Sequence, residues 1–196
     1  HSGAMIYLGG SWPQKYRGQI FMNNIHGQRI NMDTLAPQGS GYVGSHGPDF
    51  LLTQDRWSQI LNLVYGPDGQ VTMIDWYAEN ACHHGNPEGH DRSNGRIFKA
   101  VYQNAPAVKV DLGKLSDDEL VKLQLSENDW YVRHGRRVLQ ERAAAGKLAA
   151  TTPAALAKLA ATEKNDTRRL RALWALQALG AFTQPIAKHA LADESP

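Results

Sequence analysis

Residues 57–102, WSQILNLVYGPDGQVTMIDWYAENACHHGNPEGHDRSNGRIFKAVY, read as three β-strands of one sheet. Gln59–Tyr65 and Gln70–Tyr77 are β-branched and aromatic runs. Between them Gly66-Pro67-Asp68-Gly69 supplies a turn, proline pre-setting φ and glycine taking the left-handed position. The third strand, Arg96–Tyr102, is reached only through a long polar loop, Ala78–Gly95. A long structureless loop within a compact sheet is usually functional or disordered. This one carries Asn80, Cys82, His83, His84, His90, Asp91 and Arg92, so it is a candidate for function.

Upstream, Gly3–Leu8, Gln19–Ile25 and Arg29–Leu35 read as strands, the last two joined by the short connection His26-Gly27-Gln28. A glycine-rich passage, Gly39–Gly47, leads to a fourth strand at Asp49–Thr53. The first half is thus two meanders, four strands and then three. Successive small antiparallel meanders are the sequence form of β-propeller blades, and a β-sandwich would have the same strand count. In the propeller reading His1-Ser2, Asn24–Gln28, Asp55–Ser58 and Ala78–Gly95 lie on one face. The last blade has three strands, so ring closure needs a strand from elsewhere.

Near Asn104 the composition shifts from glycine-rich to alanine-rich, which predicts two domains in the 196 residues. We place them at 1–104 and 113–196, with residues 105–112 as a linker. Ser116-Asp117-Asp118-Glu119 has the form of a capping box. Asp129 is expected to cap a helix running through Arg142, Thr152-Pro153 to open a third helix, and Asp166 a fourth that closes at Gly180. Asp129 and Asp166 are 37 residues apart, as are Leu139 and Leu176, which suggests paired helices repeating near the HEAT period. The fold class expected is a β-plus-α multidomain chain: a partial β-propeller of about two antiparallel blades, then an α-helical HEAT-like repeat region. Both ends are expected to be cut from a longer protein.

The formal charge is +2, and no Lys/Arg block is interleaved with aromatics as a nucleic-acid groove requires, so nucleic acid is not expected as a partner. No apolar run approaches the roughly 20 residues of a bilayer crossing. The single cysteine, Cys82, excludes an internal disulfide and a Cys-x-x-Cys-His haem attachment.

The strings HSGAMIYLGGSWPQKYRGQIFMNNIHGQRINMDTL, GSGYVGSHGPDFLLTQDRW, YGPDGQVTMIDWYAENACHH and DRSNGRIFK resemble a family of large bacterial proteins described as membrane-bound dehydrogenases. NDWYVRHGRRVLQERAAAG and LRALWALQALG resemble the HEAT-like region that follows the propeller there. The resemblance puts the propeller ahead of the sandwich. It implies a quinoprotein-type dehydrogenase that oxidises sugars or alcohols, with PQQ and calcium as cofactors. It also implies an extracytoplasmic location and electron transfer to a downstream cytochrome c domain carrying haem. From a different class, the same architecture serves as a non-catalytic scaffold that binds a protein or glycan.

Within that frame His26, beside Asn23, Asn24 and Arg29, is a candidate base for a substrate alcohol, since imidazole titrates near working pH. It could equally be bonded to loop backbone. Arg56 could clamp the carboxylates of a quinone cofactor, or pair with Asp55 or Asp75 on the rim. Asp75 completes the catalytic candidates as an orienting carboxylate, and Asn24, His83 and His84 are the cofactor-binding candidates. Cys82, His83, His84 and His90 invite a transition metal but show no recognised ligand spacing, and a loop-stapling role ranks above it. No metal ligand is therefore assigned, while Asp75, Asn80 and Asp91 are oxygen donors that calcium would accept. Trp57, Trp76, Tyr77 and Tyr102 read as packing residues rather than a redox relay, and Arg133, Arg136, Arg137, Glu141 and Arg142 as a solvated helix face laced with pairs.

Overall fold

The computed structural model describes residues 2–80, 85, 88, 91 and 93–195. Its contacts divide the chain into two units, His1–Val108 and Lys109–Pro196. The first unit holds strands β1 (Ala4–Ile6), β2 (Ile20–Asn24), β3 (Arg29–Gln38), β4 (Gly41–His46), β5 (Leu51–Leu52), β6 (Ile60–Tyr65), β7 (Val71–Asp75) and β8 (Arg96–Ala100). They form two antiparallel sheets, β1-β2-β3-β4 with β5 also on β3, and β6-β7-β8. Neither closes into a barrel.

Alternation decides which faces meet. Met5, Phe21, Ile30 and Met32 of the first sheet are buried, as are Leu63, Tyr65, Val71 and Met73 of the second. Between these positions Val64 and Ile74 stay exposed. A register shift between Leu61 and Leu63, with Asn62 at φ +50°, brings Ile60, Leu63 and Tyr65 all inward despite their uneven spacing. An aromatic cluster seals the end of the unit where β6 turns into β7: Trp12 stacks on Tyr7 at 4.6 Å and on Phe50 at 4.9 Å. The Tyr7 hydroxyl accepts from the Ser11 and Trp12 amides and donates to the Gly69 carbonyl at 2.8 Å. Burial raises the Tyr7 pKa, and the two amides only partly offset this. Gly69 has φ +71°, and a Cβ there would lie 2.2 Å from Ser11 Oγ, so both backbone and space demand glycine.

Several expectations are corrected. Residues 39–47 are not only a glycine-rich passage, since β4 runs through Gly41–His46 and pairs with an extended β3 that reaches Gln38. The Asp49–Thr53 strand shrinks to β5. β4 and β5 share the β3 edge opposite β2, and Gly47 N–H to Met32 O and Phe50 N–H to Ile30 O, both 2.9 Å, continue the ladder past bulged Pro48 and Asp49. The fourth strand position is therefore occupied by one bulge-broken strand. The strands at 70–77 and 96–102 end earlier, at Asp75 and Ala100. Trp57, Trp76 and Tyr102 are substantially exposed.

The second unit holds a 3-10 turn (Leu112–Lys114) and helices α1 (Asp117–Lys122), α2 (Asp129–Ala144), α3 (Thr152–Thr162), α4 (Asp166–Ala178) and α5 (Gln184–Leu191). The capping box at Ser116 and Glu119 is formed. The caps of α2 and α4 are Asn128 and Asn165, one residue before the aspartates expected, and their side chains accept from the Trp130 and Arg168 amides. α5 was not expected. α1 packs on α2 and α3, and α4 on α2 and α3, burying Leu120, Leu139, Leu156 and Leu176 completely. Asp117 ties this unit together, accepting from Arg142 Nη1 at 2.5 Å, the Ala149 amide at 2.6 Å and Thr152 Oγ1 at 3.4 Å. Burial alone would raise its pKa, but the Ala149 and Arg142 bonds outweigh burial and hold it below the ordinary carboxylate value.

Candidate functional site

The sequence places an aspartate at the last position of β7 and an arginine at the first of β8, and the register sets Asp75 opposite Arg96. Opposite charges across a strand pair attract. Here Arg96 Nη2 donates to Asp75 Oδ2 at 2.6 Å and stands 3.6 Å from Asp55 Oδ2. The guanidinium lies over the Tyr77 ring at 3.6 Å and near Phe98 at 5.0 Å, which fixes its plane. Burial works to lower the Arg96 pKa, but the hydrogen bond and charge of Asp75, helped by Tyr77 and Asp55, raise it above its ordinary value.

Asp75 is buried and fully engaged. Its Oδ1 accepts from the Gln59 amide at 2.6 Å and the Tyr77 amide at 3.2 Å, and its Oδ2 from Ser58 Oγ at 3.1 Å as well as Arg96. Gln59 Nε2 in turn donates to the carbonyls of Ala78 (2.7 Å) and Asn80 (2.8 Å). One carboxylate thus joins the start of β6, the end of β7 and the start of β8.

Beside this node a cleft of about 390 Å³ opens between β5 and β8. Its walls are Leu51, Ile60, Met73, Phe98 and Ala100, and its polar groups are Thr53, Asp55, Ser58, Arg96 and Lys99. Lys99 is held by Asp68. The Gln28 carbonyl accepts from the Thr53 amide and Thr53 Oγ1, both at 3.0 Å. That ties the β2–β3 turn to the cleft segment 53–58, so the turn, this segment and the Asp75–Arg96 pair meet at one end of the unit.

His26 is exposed in that turn, and Arg56 is exposed in the turn closed by Ser58 N–H to Asp55 O. Among the described residues no hydrogen bond or ion pair joins His26, Arg56 and Asp75 to one another. The arginine that Asp75 holds is Arg96. Asn24 is half-buried and closes the turn, accepting from the Gly27 amide at 2.9 Å and donating to Asn31 Oδ1 at 3.2 Å. His83 and His84, with Cys82 and His90, lie outside the described residues. Asp91 accepts from the Ser93 hydroxyl and amide and from Asn94, which lowers its pKa.

Among the described residues no group of three or more His, Cys, Asp or Glu is placed to hold a metal ion. Of the groups that a carboxylate-bearing quinone would need, the described residues give the cleft one guanidinium. Arg96 is the guanidinium that lines it, and its charge is already offset by Asp75 and Asp55. What the arrangement suits is a neutral polar ligand: an aromatic ring for an apolar face, with a carboxylate, a guanidinium and hydroxyls for hydrogen bonds. Arg96 and Ser58 were not among the residues expected here. The signal that could have found Arg96 is the cross-strand match of Asp75 and Arg96, hidden by the long connection between them.

The family model described as a domain of unknown function (DUF7133) matches residues 1–104. No curated protein and no solved structure matches the chain.

Proposed function

The chain belongs to the DUF7133 family, and from that premise we propose that its β unit binds a sugar or polyol in the cleft beside Arg96, as the substrate-binding end of a sugar- or alcohol-oxidising dehydrogenase. The observation that carries this reading is the make-up of the cleft, with Asp55, Arg96, Ser58 and Thr53 around the Phe98 ring. Planar carboxylate and guanidinium groups suit pairs of vicinal hydroxyls, and an aromatic face suits the C–H side of a sugar ring. The two sheets are read as neighbouring propeller blades and the helices as HEAT-like repeats. The 37-residue spacing of the Asn128 and Asn165 caps supports the second part.

In this reading Asp55 accepts from substrate hydroxyls and Arg96 donates to a substrate oxygen. His26, whose turn is tied to the cleft segment through Gln28 and Thr53, takes the alcohol proton. A quinone cofactor, when bound, would supply the two-electron acceptor for the hydride, and a cytochrome c partner would take those electrons onward one at a time. The second reading, a non-catalytic scaffold that holds a glycan or protein, is favoured by one observation: every oxygen of Asp75 is already engaged. The two readings separate in a dye-reduction assay on the protein, given sugars and alcohols with quinone and calcium supplied. Turnover that falls about a hundredfold or more in His26→Ala supports oxidation. Sugar binding without turnover across a broad panel supports the scaffold, and absence of both overturns the proposal.

A further inference from the structure

The helical unit carries an arginine, Arg136, that no carboxylate among the described residues pairs directly. Asp129, Arg133 and Arg136 follow one another along α2, and Arg171 and Trp174 lie on α4, which packs against it. Both oxygens of Asp129 are engaged: Oδ2 lies 3.0 Å from Arg133 Nε and Oδ1 lies 3.1 Å from Arg171 Nη2. Arg171 is otherwise committed to the Ser126 carbonyl at 2.9 Å. Arg136 makes no hydrogen bond or ion pair among the described residues, and its buried Nη1 has no acceptor. Its described contact is the face of Trp174, 5.5 Å away, and that indole is half exposed next to exposed Leu170. Burial lowers the Arg136 pKa, Asp129 opposes this, and Arg133 and Arg171 add to it.

A half-buried guanidinium beside two others, with Asp129 as the carboxylate among them, leaves a local excess of positive charge on this face. We propose that this α2–α4 face around Arg136 and Trp174 docks an acidic segment of a partner protein, a carboxylate side chain seating on Arg136 and an adjacent apolar side chain on Trp174 and Leu170. Charge complementarity selects the occupant. A polyanionic backbone suits the face less well, because the chain as a whole is nearly neutral. Aromatic and arginine side chains together are also the usual anchors of protein interfaces. This inference is independent of the cleft in the β unit.

The test uses the whole 196-residue chain and, as probe, a fluorescein-labelled peptide of alternating glutamate and leucine, read by anisotropy at low salt. The peptide should bind, and binding should weaken as salt rises. Arg136→Gln should weaken it about tenfold or more, the loss expected for one charge-assisted hydrogen bond. Trp174→Ala should weaken it too, and serves as the second probe of the face if Arg136→Gln lowers the thermal midpoint. Arg137→Gln, whose guanidinium is bonded to Glu141 at 2.8 Å, should bind as the parent does. No binding of the peptide, equal binding by Arg136→Gln and Trp174→Ala, equal binding of the glutamine counterpart, or tighter binding of an oligonucleotide of the same charge would each overturn the proposal.

Discussion

Replacing Asp75 with asparagine should destabilise the β unit by about 2 kcal/mol, a figure that comes from counting what the carboxylate now does. Four donors converge on it: the amides of Gln59 and Tyr77, Ser58 Oγ and Arg96 Nη2. An asparagine oxygen can keep the two amides, but its NH₂ then faces Ser58 and Arg96. The serine hydroxyl can rotate to accept. Arg96 cannot, and it loses a charge-assisted bond worth about 1.5–3 kcal/mol in general. Because the Arg96 side chain is 37 % exposed, water takes over part of that role and the lower part of the range applies. Asp75→Ala, which also strips the buried Gln59 amide, should cost roughly 3–5 kcal/mol. For a unit of this size about 2 kcal/mol lowers the thermal midpoint by roughly 8–16 °C. The assay is urea unfolding together with hydrogen exchange at the Gln59 and Tyr77 amides, which separates the β unit from the helices. If Asp75→Asn stays within about 0.5 kcal/mol of the parent and those amides exchange no faster, the node does not hold the three strands and the reasoning is refuted.

Asp117 is the matching test in the helical unit. Its folded pKa is depressed, so its contribution is fully present above the unfolded value near 3.9 and is lost as pH falls through the folded one. Asp117→Asn should therefore flatten the acid limb of stability against pH, and an unchanged limb counts against the assigned bonds. Asn128→Ala and Asn165→Ala should each cost about 1 kcal/mol, and Asp166→Ala less, in chemical denaturation. Equal losses at all three positions would undo the cap assignment. Gly69→Ala should cost at least about 1 kcal/mol, since the left-handed backbone and the Ser11 hydroxyl both oppose a methyl group; a neutral result would mean that the clasp on the β6–β7 turn is loose.

The β6–β7 hairpin could be read from residues because its instructions are local: alternating Val71, Met73 and Asp75 on one face, and a turn whose Gly69 does take the left-handed conformation. β4 could not. Gly41-Tyr42-Val43-Gly44-Ser45-His46 is exposed along its whole length, so no alternation marks it, and it exists because β3 extends to pair with it. The helix starts were displaced by one residue because Asn128-Asp129 and Asn165-Asp166 each offer two good capping side chains in succession, and geometry selected the asparagines. α5 spans only eight residues, so its apolar positions Ile186, Ala187, Ala190 and Leu191 cover too few turns to mark a helix, and none of them is fully buried. At the candidate site, single positions such as His26, Asn24 and Asp75 could be singled out as polar residues at strand ends. The partnership of Asp75 with Arg96 needed the register across residues 78–95, which no local spacing encodes.

The central claim, a sugar or polyol site in the cleft between β5 and β8, is tested most directly by calorimetric titration of the chain with a panel of aldoses and polyols, beside Asp55→Ala and Phe98→Ala. The account predicts that at least one ligand binds with a dissociation constant of roughly millimolar or better, and that each substitution weakens it about tenfold or abolishes it while the fold survives. Heats of dilution alone across the panel, or binding that both substitutions leave unchanged, would contradict it.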